Sequence, residues 1–341
     1  MILRTFGWSF ALTIAGLVAA LLYGGGHALV ITAILVVLEV SLSFDNAVVN
    51  ARVLARMSAY WQRLFLTLGM VIAVFGMRLV FPLLVVGATA HISPWRAWRL
   101  ALERGDAEEP GSYGYLLRDA HPAIAAFGGV FLLMIFLDFL LDQHKSLHWL
   151  GPIERGIQRL GLVDKAAVMI ALGVVLAFAA IYREHDGQIL AAGLAGLLCY
   201  LVVNGGAHLF AGVGEGAQLA LATGTAAFSL FVYLQVLDAS FSFDGVIGAF
   251  AITVDPVIIA LGLGIGALYV RSLTVLLVRK GTLSELVFLE HGAHWAIGAL
   301  AVLLLVSVEH EVPEVVTGLI GVAFIAAALV SSLRRNRLAP A

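Results

Sequence analysis

Glu39-Val40-Ser41-Leu42-Ser43-Phe44-Asp45-Asn46 sits inside an apolar run and returns 199 residues later as Asp238-Ala239-Ser240-Phe241-Ser242-Phe243-Asp244-Gly245. Acid, serine, serine, phenylalanine and aspartate keep their spacing in both copies. Two further landmarks follow in the same order. Arg78 with Leu83-Leu84-Val85 matches Arg271 with Leu276-Leu277-Val278, and Ala120-His121-Pro122-Ala123-Ile124 matches Ala293-His294-Trp295-Ala296-Ile297. The chain is therefore read as two related halves, each carrying acids into an apolar segment.

The surrounding composition says what those segments are. Of 341 residues, 61% are hydrophobic and 12% charged, with a mean hydropathy of +1.00, whereas soluble domains carry about 25% charge. Apolar segments fall near 7–23, 28–51, 64–90, 122–141, 166–182, 189–213, 217–254, 257–278, 292–308 and 312–333, each long enough to cross a bilayer as a helix. They are continuously apolar, so helices are expected rather than the alternating strands of a barrel. The expected fold is all-α: one polytopic membrane domain over 1–341 with ten spans, a first repeat at 28–141, connecting helices at 142–216 and a second repeat at 217–333. Four whole spans separate the acidic motifs, so their helices cross in opposite directions and the repeat is inverted, as in many secondary transporters. Thirteen Lys and Arg fall in one set of loops and five in the other, which predicts cytoplasmic termini.

Several function classes drop out. A net charge of −2 and pI near 6.5, with no basic or aromatic array, give no nucleic-acid surface. Gly262, Gly264 and Gly266 follow no strand, so they read as close helix packing and not as a phosphate loop. Cys199 stands alone and cannot close an internal disulfide. Two loops have amphipathic patterns suited to a membrane surface: Trp95, Trp98 and Leu102 opposite Arg96 and Glu103, and Ile153, Ile157 and Leu160 alternating with Arg155 and Arg159.

The acids carry the chemistry. Each intramembrane carboxylate costs at least about 2.5–3.5 kcal/mol on insertion scales, so four without partners should not persist. Glu39, Asp45, Asp238 and Asp244 hold four negative charges when ionised, Arg78 and Arg271 two positive ones, and one divalent cation closes the deficit. Two protons balance it equally well. Carboxylates with the Asn46 amide, the Ser43 and Ser242 hydroxyls and Gln235 form a hard oxygen-rich set suited to Mn²⁺, Ca²⁺ or Mg²⁺. On an unbroken helix Glu39 and Asp45 project about 120° apart, so local unwinding is expected at Ser43–Asn46 and at 242–245, freeing carbonyls as ligands. His121 and His294 begin spans and are candidate proton relays, since the imidazole group can exchange a proton near neutral pH. Asp138, Asp142, His144 and His148 form a candidate mouth of the pathway.

At these motifs the sequence resembles the TerC family of integral membrane proteins, in a longer branch of it. The likeness rests on Glu39 to Asn46, its copy around Asp238 to Gly245, Arg78 and Ala120 to Ile124. It implies metal-ion efflux or metal homeostasis, with Glu39, Asp45 and Asn46 matching the first family motif and Asp238 and Asp244 the second. Asp238 and Gly245 depart from the family pattern, which has Glu and Asn there, and 91–118 is an insertion.

The expectation is a secondary transporter exporting a divalent cation, foremost Mn²⁺, from a midplane carboxylate site, exchanged for protons. It is not an enzyme, and it belongs in a cell membrane, the bacterial inner membrane being the expected one. Its partners are lipid and the metal ion, with room for a homo-oligomer and none for nucleic acid. Two other readings stand beside it: a metal-binding sensor or scaffold for metal delivery, and an intramembrane aspartyl protease using Asp45 and Asp244 as a dyad.

Overall fold

The computed structural model describes residues 2–338 apart from 70, 73–74, 77–79, 81–82, 85, 88–89, 104, 106–107, 212–220, 254, 281–285 and 311. Among the described residues the chain is helical, with no extended strand. Its elements are α1 (Ile2–Leu42), α2 (Phe44–Ala55), α3 (Ala59–Leu64) running into a wider turn at Phe65–Gly69, α4 (Pro94–Glu103), α5 (Tyr113–Leu141), α6 (Gly151–Gln158) tightening into a 3₁₀ turn at Arg159–Leu162, α7 (Ala166–Ile181), α8 (Asp186–Ala211), α9 (Gly224–Ile252), α10 (Pro256–Lys280), α11 (Leu289–Ser307) and α12 (Glu314–Leu338). Five of the described helices are long and apolar enough to cross a membrane, or six if α6 with its 3₁₀ turn and α7 count as one bent span. The protein is thus an α-helical, multi-pass membrane protein.

The chain forms two compact units, one of residues 1–121 with 234–279 and the other of 122–233 with 280–341. In the first, α10 is the spine, started by Asp255, whose carboxylate accepts from the amides of Val257 (2.9 Å) and Ile258 (3.4 Å), with Pro256 in the first turn. Along the early part of α1 the partners on α10 run backward: Ser9 meets Ser272 (2.8 Å), Thr13 meets Tyr269 (3.0 Å), and Tyr23 meets Asp255 (3.4 Å). Further along they run forward, with Leu35 packed on Gly262, Glu39 on Gly266, and Thr274 bonded to the Ala47 carbonyl (3.4 Å). The chain therefore reverses within α1, at Gly24 and Gly25, whose backbones are non-helical. The boundary expected between 23 and 28 falls on this reversal.

Gly25 has φ 69° and ψ −158°, a conformation that side chains oppose by about 1–3 kcal/mol. Gly25→Ala is expected to lower stability by that amount in detergent unfolding. Gly26→Ala, where an added Cβ meets nothing within 4 Å, should change little.

In the second unit, small residues again let helices approach. A Cβ on Gly196 of α8 would collide with the Phe127 backbone of α5, and one on Gly292 of α11 with Ala328 of α12. The α5 helix begins nine residues before Pro122, where the sequence pattern placed its span, because the Ser112 hydroxyl accepts the Tyr115 amide (3.1 Å) and starts the helix early.

The expected unwinding needs correction. In the first motif only Ser43 leaves helical geometry (φ −101°, ψ 16°), and backbone bonds from Ser43 to Glu39 (3.0 Å) and from Ala47 to Ser43 (3.2 Å) bridge it. In the second motif α9 runs unbroken through 242–245. Neither stretch contains proline, and a carbonyl released into an apolar interior costs several kcal/mol, so the backbone keeps its bonds. Any ligands here come from side chains.

Candidate functional site

The first unit gathers both copies of the acidic motif. Glu39, at the end of α1, is 1% exposed, and its Oε1 accepts the Ser43 hydroxyl at 2.9 Å. Asn46, three residues into α2, is buried and donates its amide to Asp238 Oδ1 of α9 at 2.6 Å. Residues 192 positions apart in sequence thus meet side chain to side chain in a buried setting. Such a pair joins an amide donor to a carboxylate and holds Asp238 oriented.

Gln235 stands one turn before Asp238 and is also buried. Neither end of its amide finds a hydrogen-bond partner among the described residues, and the same is true of Asn50 Oδ1 and Thr32 Oγ1. Orphaned buried polar atoms are rare in folded proteins and mark places where an ion or water is held. Asn50 follows Asn46 by one turn and so shares its face of α2. The sequence reading missed Asn50 and Thr32, although the four-residue spacing of the two asparagines was legible.

Glycines make the room. A Cβ on Gly266 would lie 2.4 Å from Glu39 Cγ, and one on Gly69 would lie 2.8 Å from Gln235 Nε2. Gly262 and Gly266 of α10 therefore serve close helix packing, and Gly266 seats a predicted site residue. Gly266→Ala is expected to displace Glu39 and cost about 1–3 kcal/mol through overpacking. Unfolding in detergent would report that loss.

Other predicted residues lie elsewhere or outside the description. The side chains of Asp45, Ser242 and Asp244 are not among those described, and Arg78 lies outside the described residues altogether. Arg271 is half-buried, and its Nε donates to the Leu66 carbonyl at 2.7 Å in the wide turn after α3. His121 is half-buried in the first unit. His294 belongs to the second unit, where it stacks on Phe139 (centroids 3.8 Å, 12°) with Nδ1 2.9 Å from the Glu290 carbonyl. Among the described residues no group of three or more His, Cys, Asp or Glu closes on one point. The described donors are two carboxylates with amides and hydroxyls.

The second unit holds two polar clusters of its own. Asp138 Oδ2 accepts the Tyr200 hydroxyl and, at 3.4 Å, the Asn204 amide. Glu154 of α6, absent from the sequence reading, is fully buried, accepts from Trp295 Nε1 (3.1 Å), the Leu150 amide (3.2 Å) and the Trp149 amide (3.3 Å), and forms an ion pair with Lys145 Nζ (3.2 Å). Burial pushes its carboxyl upward, but the bonds from Trp295 and the Leu150 backbone and the Lys145 charge outweigh that and hold it below the usual carboxylate range.

A family model described as a protein of unknown function (DUF475) matches residues 44–339. No curated protein and no solved structure matches the chain.

Proposed function

The chain belongs to the DUF475 family, and from that premise we propose that it is a secondary transporter of a divalent metal cation, Mn²⁺ foremost, working outward in exchange for protons. The reading assigns ten spans and an inverted repeat, with the site where the two acidic motifs meet. The observation that carries it is the buried Asn46–Asp238 contact, with Glu39 buried beside Gly266 in the same unit and the Gln235 amide without a hydrogen bond among the described residues. A buried carboxylate is costly in an apolar protein unless something compensates it. A hard cation suits this set of oxygens better than a soft one does.

In this reading Glu39, Asp45, Asp238 and Asp244 ligate, Asn46 and Gln235 orient and complete the shell, Ser43 and Ser242 are secondary ligands, and Arg78 and Arg271 balance charge when the metal leaves. His121 and His294 are its candidate proton relays. The TerC resemblance points to the same cargo, and the termini face the cytoplasm. Dye-reported flux of Mn²⁺, Ca²⁺ and Mg²⁺ in proteoliposomes tests it. The expected result is Mn²⁺ movement coupled to opposite proton movement; wild-type vesicles no faster than protein-free ones would remove the transporter.

A further inference from the structure

We infer that residues 151–165 form a binding face for anionic lipid headgroups, created because this segment turns its Glu154 carboxylate inward and its cations outward. The inference uses only the second unit and does not rest on metal transport.

Glu154 is fully buried, and Lys145, its ion-pair partner at 3.2 Å, is buried too and lies 4.0 Å from the Phe139 ring centroid. His291 Nε2 stands 3.7 Å from the same carboxylate. One anion and one cation thus cancel in the interior. Arg155, Arg159 and Lys165 remain exposed on the outer side, with Asp164 as the one exposed acid of the segment. Interleaved with them are exposed apolar side chains: Ile153 at 52%, Leu160 at 53%, Leu162 at 76% and Val163 at 51%.

The direction of the chain says what this face meets. The axis bends by 100° between this segment and α7, and exposed Met169, Leu176 and Ile181 continue the apolar surface along α7. A segment lying across the end of an apolar span, with cations and large apolar groups on its outer side, sits where acyl chains give way to phosphates. Arg155 Nε is tied to the Gly151 carbonyl at 2.9 Å, which fixes its guanidinium at the start of the segment. The excess of positive charge selects an anionic headgroup over a zwitterionic one.

The full-length protein in neutral detergent, titrated with phosphatidylglycerol or phosphatidylcholine of matched chains and read by native mass spectrometry, tests this. Wild type should retain the anionic lipid about tenfold better. The triple variant Arg155→Gln/Arg159→Gln/Lys165→Gln should lose that preference, binding the two lipids equally. Arg334→Gln/Arg335→Gln, on exposed residues of α12, should keep it. If the triple variant fails to fold, the preference of the wild type must still decline as salt is raised. No preference in the wild type, an unchanged triple variant, equal loss in the α12 variant, a salt-insensitive preference, or displacement of the lipid by inorganic phosphate would each overturn the inference.

Discussion

Asp238→Asn is expected to lower Mn²⁺ affinity on the order of 100-fold, the upper end of what disturbing the surroundings of a metal ligand costs, and to bring flux to the level of protein-free vesicles. The substitution keeps the shape of a side chain that is 7% exposed and bonded to Asn46 at 2.6 Å. The asparagine can present its carbonyl oxygen to the Asn46 amide, so folding should be retained while a negative charge is lost. Thermal unfolding with and without Mn²⁺ checks both halves: wild type should gain stability from the metal, and the variant should not. A variant that unfolds at the wild-type temperature and still gains from Mn²⁺ would take Asp238 out of the site.

The second large effect lies in the other unit. Glu154→Ala leaves Lys145 buried without its carboxylate and strips acceptors from Trp295 Nε1 and the Trp149 and Leu150 amides. Losing one partner of a buried ion pair costs about 3–5 kcal/mol, measurable by unfolding in detergent. Because the Glu154 carboxyl is held below its ordinary value, the stability it adds is fully present above the unfolded-state pKa, about 4.3. That contribution is lost as pH falls through the lower folded-state value. Glu154→Gln should therefore flatten the acid limb of the stability profile. Adding Lys145→Met to Glu154→Gln should recover part of the loss, since it removes the stranded cation.

The helical membrane class was legible because apolar content and continuity depend on composition, which no tertiary contact can reverse. The reversal near residue 24 was legible too, since Gly24-Gly25-Gly26 interrupts the apolar pattern. The 120° offset between Glu39 and Asp45 pointed to a break that is present at Ser43 as a single non-helical residue and absent at 242–245, where the helix runs on; the partners gather from separate helices. Asn46 meets Asp238, and Glu39 uses Ser43 and the space over Gly266. Glu154 left no trace in the sequence. It lies among Ile153, Arg155 and Ile157 in a pattern that reads as a solvated amphipathic turn. The return of Trp295 and His291 from a distant helix, with Lys145, makes that position interior. Asn50 and Thr32 were overlooked because a single polar residue in an apolar helix looks like packing until its neighbours are known.

In the proposed transporter the two motif copies build one cation site and not two. Counting bound Mn²⁺ per chain by electron paramagnetic resonance, in wild type, Asp45→Ala and Asp244→Ala, tests it most directly. One ion per chain in the wild type, lost in either variant, is the predicted result. Two ions in the wild type with one surviving in each variant, or binding unaffected by either change, would contradict it.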